Sequence, residues 1–312
     1  MAGVLFPRQN MREALVKLHV SVLLAGFTGI FGKLIALNDG LLVWWRLFLT
    51  VAVMGPFLLL SGRMNLPPKR TLAVIFGVGG LQCAHWVMFY ASIRLSTVSV
   101  ALVCISLMGF FSAILSPLIL KTPWSLRQFG FSLLTIAGIA LIFHFDARYR
   151  LGIGVGVVSS AVASLFVVCN KKISGVLPPA RLFFFEMTGG LALLTCLMPA
   201  YLLFFPSESL LPSRMDLFWL AFLALFGTVV LYVIQLQALE KVSAFTVNLS
   251  LNLEPVYAVI LASIFLGEAK DFTPAFYLGM SLIALAVVLE TFVTWKERGD
   301  AADRLLEEPQ AG

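Results

Sequence analysis

Ten apolar stretches separated by short loops dominate this chain, and the basic residues between them say how it sits. The stretches run 14–36, 41–62, 70–94, 97–120, 127–145, 151–173, 181–205, 216–239, 243–267 and 273–295. Each is near the ~20 residues that a helix needs to cross a hydrocarbon core about 30 Å thick. Of the 22 Lys and Arg, fifteen fall in the terminal segments and one alternating set of loops: Arg8, Arg12, Lys17; Arg63, Lys69, Arg70; Lys121, Arg127; Lys171, Lys172, Arg181; Lys241; and Lys296, Arg298, Arg304. Only Arg94, Arg148, Arg150, Arg214 and Lys270 occupy the other set, while Lys33 and Arg46 lie inside stretches. Lys and Arg in short loops are retained on the cytoplasmic side during insertion. The chain therefore reads as an all-α integral protein of the cell (plasma or inner) membrane, multi-pass, with both termini cytoplasmic.

Composition agrees. A chain 60% hydrophobic and 12% charged, with 27 Phe, is far from the ~25% charged residues of a soluble domain. Its pI near 9.3 would suggest nucleic acid in a soluble protein, but here the positive excess is what insertion beside anionic inner-leaflet lipid demands. The lipid bilayer is the expected partner, and nucleic acid is not. Cys83, Cys104, Cys169 and Cys196 fall in four different stretches without a CxxC pair, so neither a zinc site nor a disulfide framework is indicated. The first stretch lacks a signal-peptide profile: it is long, carries His19 and Lys33, and shows no A-x-A site.

The stretches divide into two sets of five. Residues 90–102, Tyr-Ala-Ser-Ile-Arg-Leu-Ser-Thr-Val-Ser-Val-Ala-Leu, align without gaps on residues 237–249, Gln-Ala-Leu-Glu-Lys-Val-Ser-Ala-Phe-Thr-Val-Asn-Leu. Ala91/Ala238, Ser96/Ser243, Val100/Val247 and Leu102/Leu249 are identical, and Arg94/Lys241 keep charge. The second stretch opens Val43-Trp-Trp-Arg46, and the seventh opens Phe183-Phe-Phe-Glu186. Because five is odd, the second copy must enter the membrane from the opposite side. That is the inverted-repeat plan of secondary transporters, with substrate sites near the midplane between the halves. The repeats are expected at 14–145 and 151–295, followed by a disordered cytoplasmic tail at 296–312.

Ala238-Leu-Glu-Lys-Val-Ser-Ala244, Leu251-Asn-Leu-Glu-Pro-Val256 and Phe265-Leu-Gly-Glu268 give the chain a resemblance to the drug/metabolite transporter superfamily, in particular its EamA-type members. The resemblance spans about Ala14 to Trp295. It implies a ten-helix bundle in which helices one to four and six to nine surround a central cavity, with five and ten peripheral. The first repeat departs from the second, with Met108-Gly109 in place of Glu254-Pro255 and Lys121 in place of Glu268.

Charged groups at depth are expensive in hydrocarbon, at roughly 2.5 to 3.5 kcal/mol on insertion scales, and so invite a reason. Glu254 lies about 16 Å into the ninth stretch, near the middle of the core. Pro255 removes the hydrogen bond to the carbonyl of residue 251 and disturbs the preceding turn, so a kink is expected there. Asn248 and Asn252 share one face with Pro255, and Thr246 and Ser250 share another with Glu254. Glu254 is then a proton-coupling carboxylate, a counter-charge for a cationic substrate group, or a group that only stabilises the kink. Gln82, His85, Trp86 and Phe89 recur at i, i+3, i+4 and i+7 and line one face of the third stretch. They form either a substrate wall or a set of helix-to-helix hydrogen bonds. Gln235, one turn after Tyr232, is a further candidate.

Arg46 and Glu186, each about 8 Å below opposite surfaces, read as pseudo-symmetry mates that mark a vestibule on either side, not as partners. Snorkelling is the other reading for Arg46, beside Trp44 and Trp45. Lys33 is placed to reach the interface or Asp39. Gly26, Gly29 and Gly32 fit close helix packing.

No G-x-x-x-x-G-K-[ST], no HExxH and no G-x-S-x-G occurs, so neither ATP hydrolysis by a P-loop nor a hydrolase is indicated. No cofactor or metal is expected; a proton is the one coupling species the buried carboxylate suggests. The reading is a secondary transporter, an exporter as the resemblance implies, that moves a small polar or amphipathic metabolite such as an amino acid as a monomer or homodimer. The alternative is an intramembrane enzyme or receptor on the same scaffold.

Overall fold

The computed structural model describes residues 8–143, 149–254, 256–257 and 273–307, and every regular element among them is helical. The α-helices are α1 (Arg8–Leu34), α2 (Asp39–Leu60), α3 (Lys69–Leu95), α4 (Val98–Ile105), α5 (Met108–Leu120), α6 (Leu126–Phe143), α7 (Arg150–Ile173), α8 (Pro179–Phe204), α9 (Arg214–Ala224), α10 (Leu231–Lys241), α11 (Ala244–Ser250) and α12 (Pro274–Glu307). A π-helical segment, Leu225–Val230, joins α9 to α10, and a 3₁₀ turn, Leu251–Leu253, follows α11. The fourth stretch is thus α4 plus α5, and the eighth is α9, the π segment and α10. Of the ninth, α11, the 3₁₀ turn, Glu254 and residues 256–257 are described. Pro255, Glu268 and Lys270 lie outside the described residues.

Seven of these segments are long and apolar enough to cross a membrane, and two shorter apolar helices accompany them. The surface is that of a lipid-facing protein: Leu60 and Leu126 are 89% and 91% exposed, while Arg46 is 2% exposed and Glu186 not at all. Such an inversion is stable only where the outer solvent is apolar.

Local chemistry sets the helix boundaries. Asn38 caps α2 by accepting from Leu41 N, and Ser213 and Asp216 form a reciprocal capping box at the start of α9. The aligned segments fold alike, since Thr97 caps α4 and Ser243 caps α11, each by its hydroxyl. Both caps follow a helix that ends in a basic turn, at Arg94 and Lys241. The following spans break at corresponding depths, at Ser106–Leu107 and Leu251–Leu253. The second break immediately precedes Glu254.

Helix α3 is the hub and packs along α7 and α8; α1 runs along α10, and α2 along α8. Each of these contacts joins one repeat to the other. The α3–α8 crossing is close enough to exclude side chains: a Cβ on Gly79 would overlap the Glu186 backbone, and one on Gly189 would lie 2.5 Å from Phe76 Cα. Glycine on α1 serves the same end, with Gly29 facing Val98 and Gly32 facing the Tyr90 ring. Helices α6 and α12 pack chiefly on each other, outside the rest of the bundle.

At the end where α1 passes into α2, Ala36 N donates to Asp216 Oδ1 (2.8 Å), Asn38 Nδ2 to Phe205 O (3.1 Å) and Gly40 N to the Tyr201 hydroxyl (3.1 Å). Asp39 pairs with Arg94 at 3.0 Å. The tail expected to be disordered from residue 296 instead continues α12 as far as Glu307. Its Ala-Ala-Asp-Arg-Leu-Leu-Glu run is rich in helix formers.

Candidate functional site

Between the repeats lies a cavity of about 50 Å³, as measured by the room left for the centres of water molecules. That is space for a few waters, with the walls drawn in around it. Arg46 from α2, Gln82, His85, Trp86 and Phe89 from α3, Phe166 from α7, Tyr232 and Gln235 from α10, and Glu254 all line it, with Ala25 and Thr28 from α1. The i, i+3, i+4, i+7 face of α3 is therefore one wall, and Glu254 stands on another.

Arg46 is not at an outer vestibule. Its Nε donates to Thr228 Oγ1 (2.7 Å), Nη2 to Gly227 O (2.7 Å) and Nη1 to the Tyr90 hydroxyl (3.2 Å), while Cζ sits 3.7 Å above the Trp86 ring centroid. Helix α2 begins at Asp39, so the Arg46 Cα is about 10 Å along it. Its long side chain then turns inward to these acceptors instead of snorkelling out. The π segment makes that possible: Thr228 Oγ1 donates back to Leu223 O (2.8 Å), and the widened turn leaves Gly227 O for the guanidinium. Such π-bulges are common at functional sites. A guanidinium has five N–H donors; three are used here, and two remain for an anion.

Tyr232 organises the aromatic wall. Its hydroxyl accepts from Gln82 Nε2 (2.7 Å) and Trp86 Nε1 (3.2 Å). Its ring stacks on Phe183 (5.6 Å between centroids) and meets Trp86 edge-on at 5.5 Å. Ser159 Oγ donates to His85 O (3.0 Å), so the 2.9 Å contact between that oxygen and His85 Nδ1 is read with Nδ1 as donor. Nε2 is then left as an acceptor.

Glu254 is 8% exposed, and among the described residues no hydrogen bond or ion pair reaches its carboxyl. Its electrostatic partner is Arg46 across the cavity, at more than ion-pair distance. The arrangement offers a fixed cation with spare donors, a carboxyl with spare acceptors and an aromatic floor between them.

Other expected residues fall elsewhere. Asn248 is buried outside the cavity lining and donates to Ser164 Oγ (3.2 Å) on α7. Glu186 marks no vestibule: it is sealed among α3, α7 and α8. It does not pair with Arg46. The Asn252 side chain and Pro255 lie outside the described residues. The sequence reading missed Phe166, which has no signal beyond being one of 27 Phe, and gave Tyr232 too little weight.

A model of the EamA-like transporter family matches residues 14–144 and 150–290. The chain belongs to the EamA-like transporter family, within the drug/metabolite transporter superfamily, and the two matched segments are its two inverted five-helix repeats. No curated protein matches. Among solved structures, one crystal structure superposes with a TM-score of 0.69 at 14% identity, over 90% of this chain and 97% of the other. It supports the fold alone.

Proposed function

We propose that this chain is a secondary transporter of the plasma or inner membrane, with both termini cytoplasmic. It exports a small zwitterionic or amphipathic metabolite, an amino acid or related compound, by alternating access of its two repeats. The observation that carries this reading is Arg46 from the first repeat and Glu254 from the second facing one central cavity walled by Trp86, Phe89, Phe166 and Tyr232. A solute carboxylate fits the two spare N–H groups of Arg46, and its ammonium fits the unpartnered Glu254 carboxyl. Its apolar part lies on the aromatic wall. The space now present is smaller than such a solute, as befits an occluded or empty state that opens to load. The protein acts as a monomer or homodimer.

The test is efflux of a panel of radiolabelled amino acids and related metabolites from overexpressing cells, followed by counterflow of any positive in proteoliposomes. Faster efflux of one solute class, with counterflow of that class by purified protein, supports the reading. Liposomes that move no solute but alter one covalently would replace it with an intramembrane enzyme.

A further inference from the structure

Away from the cavity, four buried polar atoms lack partners at one place. Glu186 Oε1 and Oε2 and Asn170 Oδ1 and Nδ2 complete no hydrogen bond among the described residues, and neither side chain is exposed at all. The two lie side by side, Glu186 on α8 and Asn170 near the end of α7. Helix α3 closes the third side, with Gly79 against the Glu186 backbone and Gly190 against Gly79 and Cys83. This is the seam between the repeats, because α3 belongs to the first and α7 and α8 to the second.

Among the described residues, no counter-charge is supplied there, and no ion pair reaches Glu186. From α3, Cys83 packs near Gly190, and His85 turns to Ser159. From α7, Lys171 directs its ammonium to Leu239 O and Val242 O, and Lys172 is exposed. From α10, Tyr232 stacks on Phe183 and is held by Gln82 and Trp86. From α2, Arg46 is engaged at the cavity. Glu254 has Arg46 across its cavity, and Glu186 has no equivalent. Buried groups without charge partners persist in neutral form.

We propose that Glu186, paired with Asn170, is a proton-binding site of this protein, at the seam between the repeats and separate from the substrate cavity. With its proton, the Glu186 O–H donates to Asn170 Oδ1 and Asn170 Nδ2 donates to the other carboxyl oxygen, so a small rotamer adjustment provides for all four orphan atoms. Without it, the carboxylate accepts from Nδ2 while Oδ1 faces a second acceptor. The O–H bond breaks toward water, its electron pair stays on the carboxylate, and the charge is tolerated only where water follows. Release therefore accompanies parting of α3 from α7 and α8. That last link rests on the alternating-access reading; the proton site does not.

Purified protein in lipid nanodiscs can be titrated with pH in choline chloride and followed by infrared difference spectroscopy. The Glu254→Gln variant, which removes the cavity carboxyl, is expected to keep a protonated-carboxyl band near neutral pH. Adding Glu186→Gln is expected to remove that band, and Asn170→Leu to shift it to higher frequency. Glu254→Gln protein without such a band overturns the proposal, whether or not the Glu186 variant folds. Undiminished intensity after Glu186→Gln does the same, as does a frequency unmoved by Asn170→Leu. Loss of the band when sodium replaces choline at fixed pH would mark a metal-cation site instead. No flux is measured, so failure here and failure of the efflux test are read independently.

Discussion

At the scale of single residues, the cavity depends on groups that serve several partners at once. Arg46 holds three acceptors and lies over Trp86, which a planar fork does and an ammonium does not. Arg46→Lys keeps the charge, yet it should weaken solute affinity by roughly 10- to 100-fold, the equivalent of one or two charge-assisted hydrogen bonds. Counterflow against increasing solute concentration reads that change. Tyr232→Phe leaves Gln82 Nε2 and Trp86 Nε1 without their acceptor; the expected loss is about 1–3 kcal/mol of stability. A lowered melting temperature in detergent measures it, and a melting curve identical to wild type would mean that water replaces the hydroxyl. Much of this wall was legible in the sequence, because helical spacing alone places Gln82, His85, Trp86 and Phe89 together. Arg46 was not, because counting depth along a helix locates a Cα and says nothing of which way the seven further side-chain atoms turn.

At the scale of elements, the helices are interrupted where they matter. The fourth span breaks at Ser106–Leu107, the ninth at Leu251–Leu253, and the eighth widens at Leu225–Val230. Only the ninth has a proline to announce it; the other two carry a glycine at or beside the irregular turn, Gly227 and Gly109, and Arg46 holds the freed Gly227 O. The α3–α8 crossing gives a sharp test on one helix. Gly79→Ala should destabilise the protein by about 1–3 kcal/mol, as overpacking does, because its Cβ meets backbone. Gly77→Ala on the same helix meets nothing within 4 Å and should be neutral or slightly stabilising. Thermal denaturation of the two side by side distinguishes them, and equal melting temperatures would contradict the close crossing.

At the scale of the whole molecule, the ten apolar stretches and the alignment of residues 90–102 on 237–249 already carried the fold class, since both follow from the thickness of a bilayer and from gene-scale repetition. The continuation of α12 to Glu307 was hidden because charge was read as disorder, whereas charged helix formers extend a helix equally well. Orientation is tested in a background lacking the four native cysteines. Cysteine at exposed Ser209 should react with an impermeant thiol reagent in intact cells, and cysteine at exposed Asn65 only after lysis. Reaction of both, or of Asn65 alone, would invert or discard the topology. The opposed charges of Arg46 and Glu254 also have an electrical meaning. In the transport reading proposed above, the two sum to zero whenever Glu254 is ionised, so the cavity would then be as neutral empty as holding a zwitterion, and voltage would do no work on either leg of the cycle. A transmembrane potential of 100 mV is worth about 2.3 kcal/mol per unit charge, and here it would find none to pull on. Any current that accompanies transport would therefore count protons, not solute.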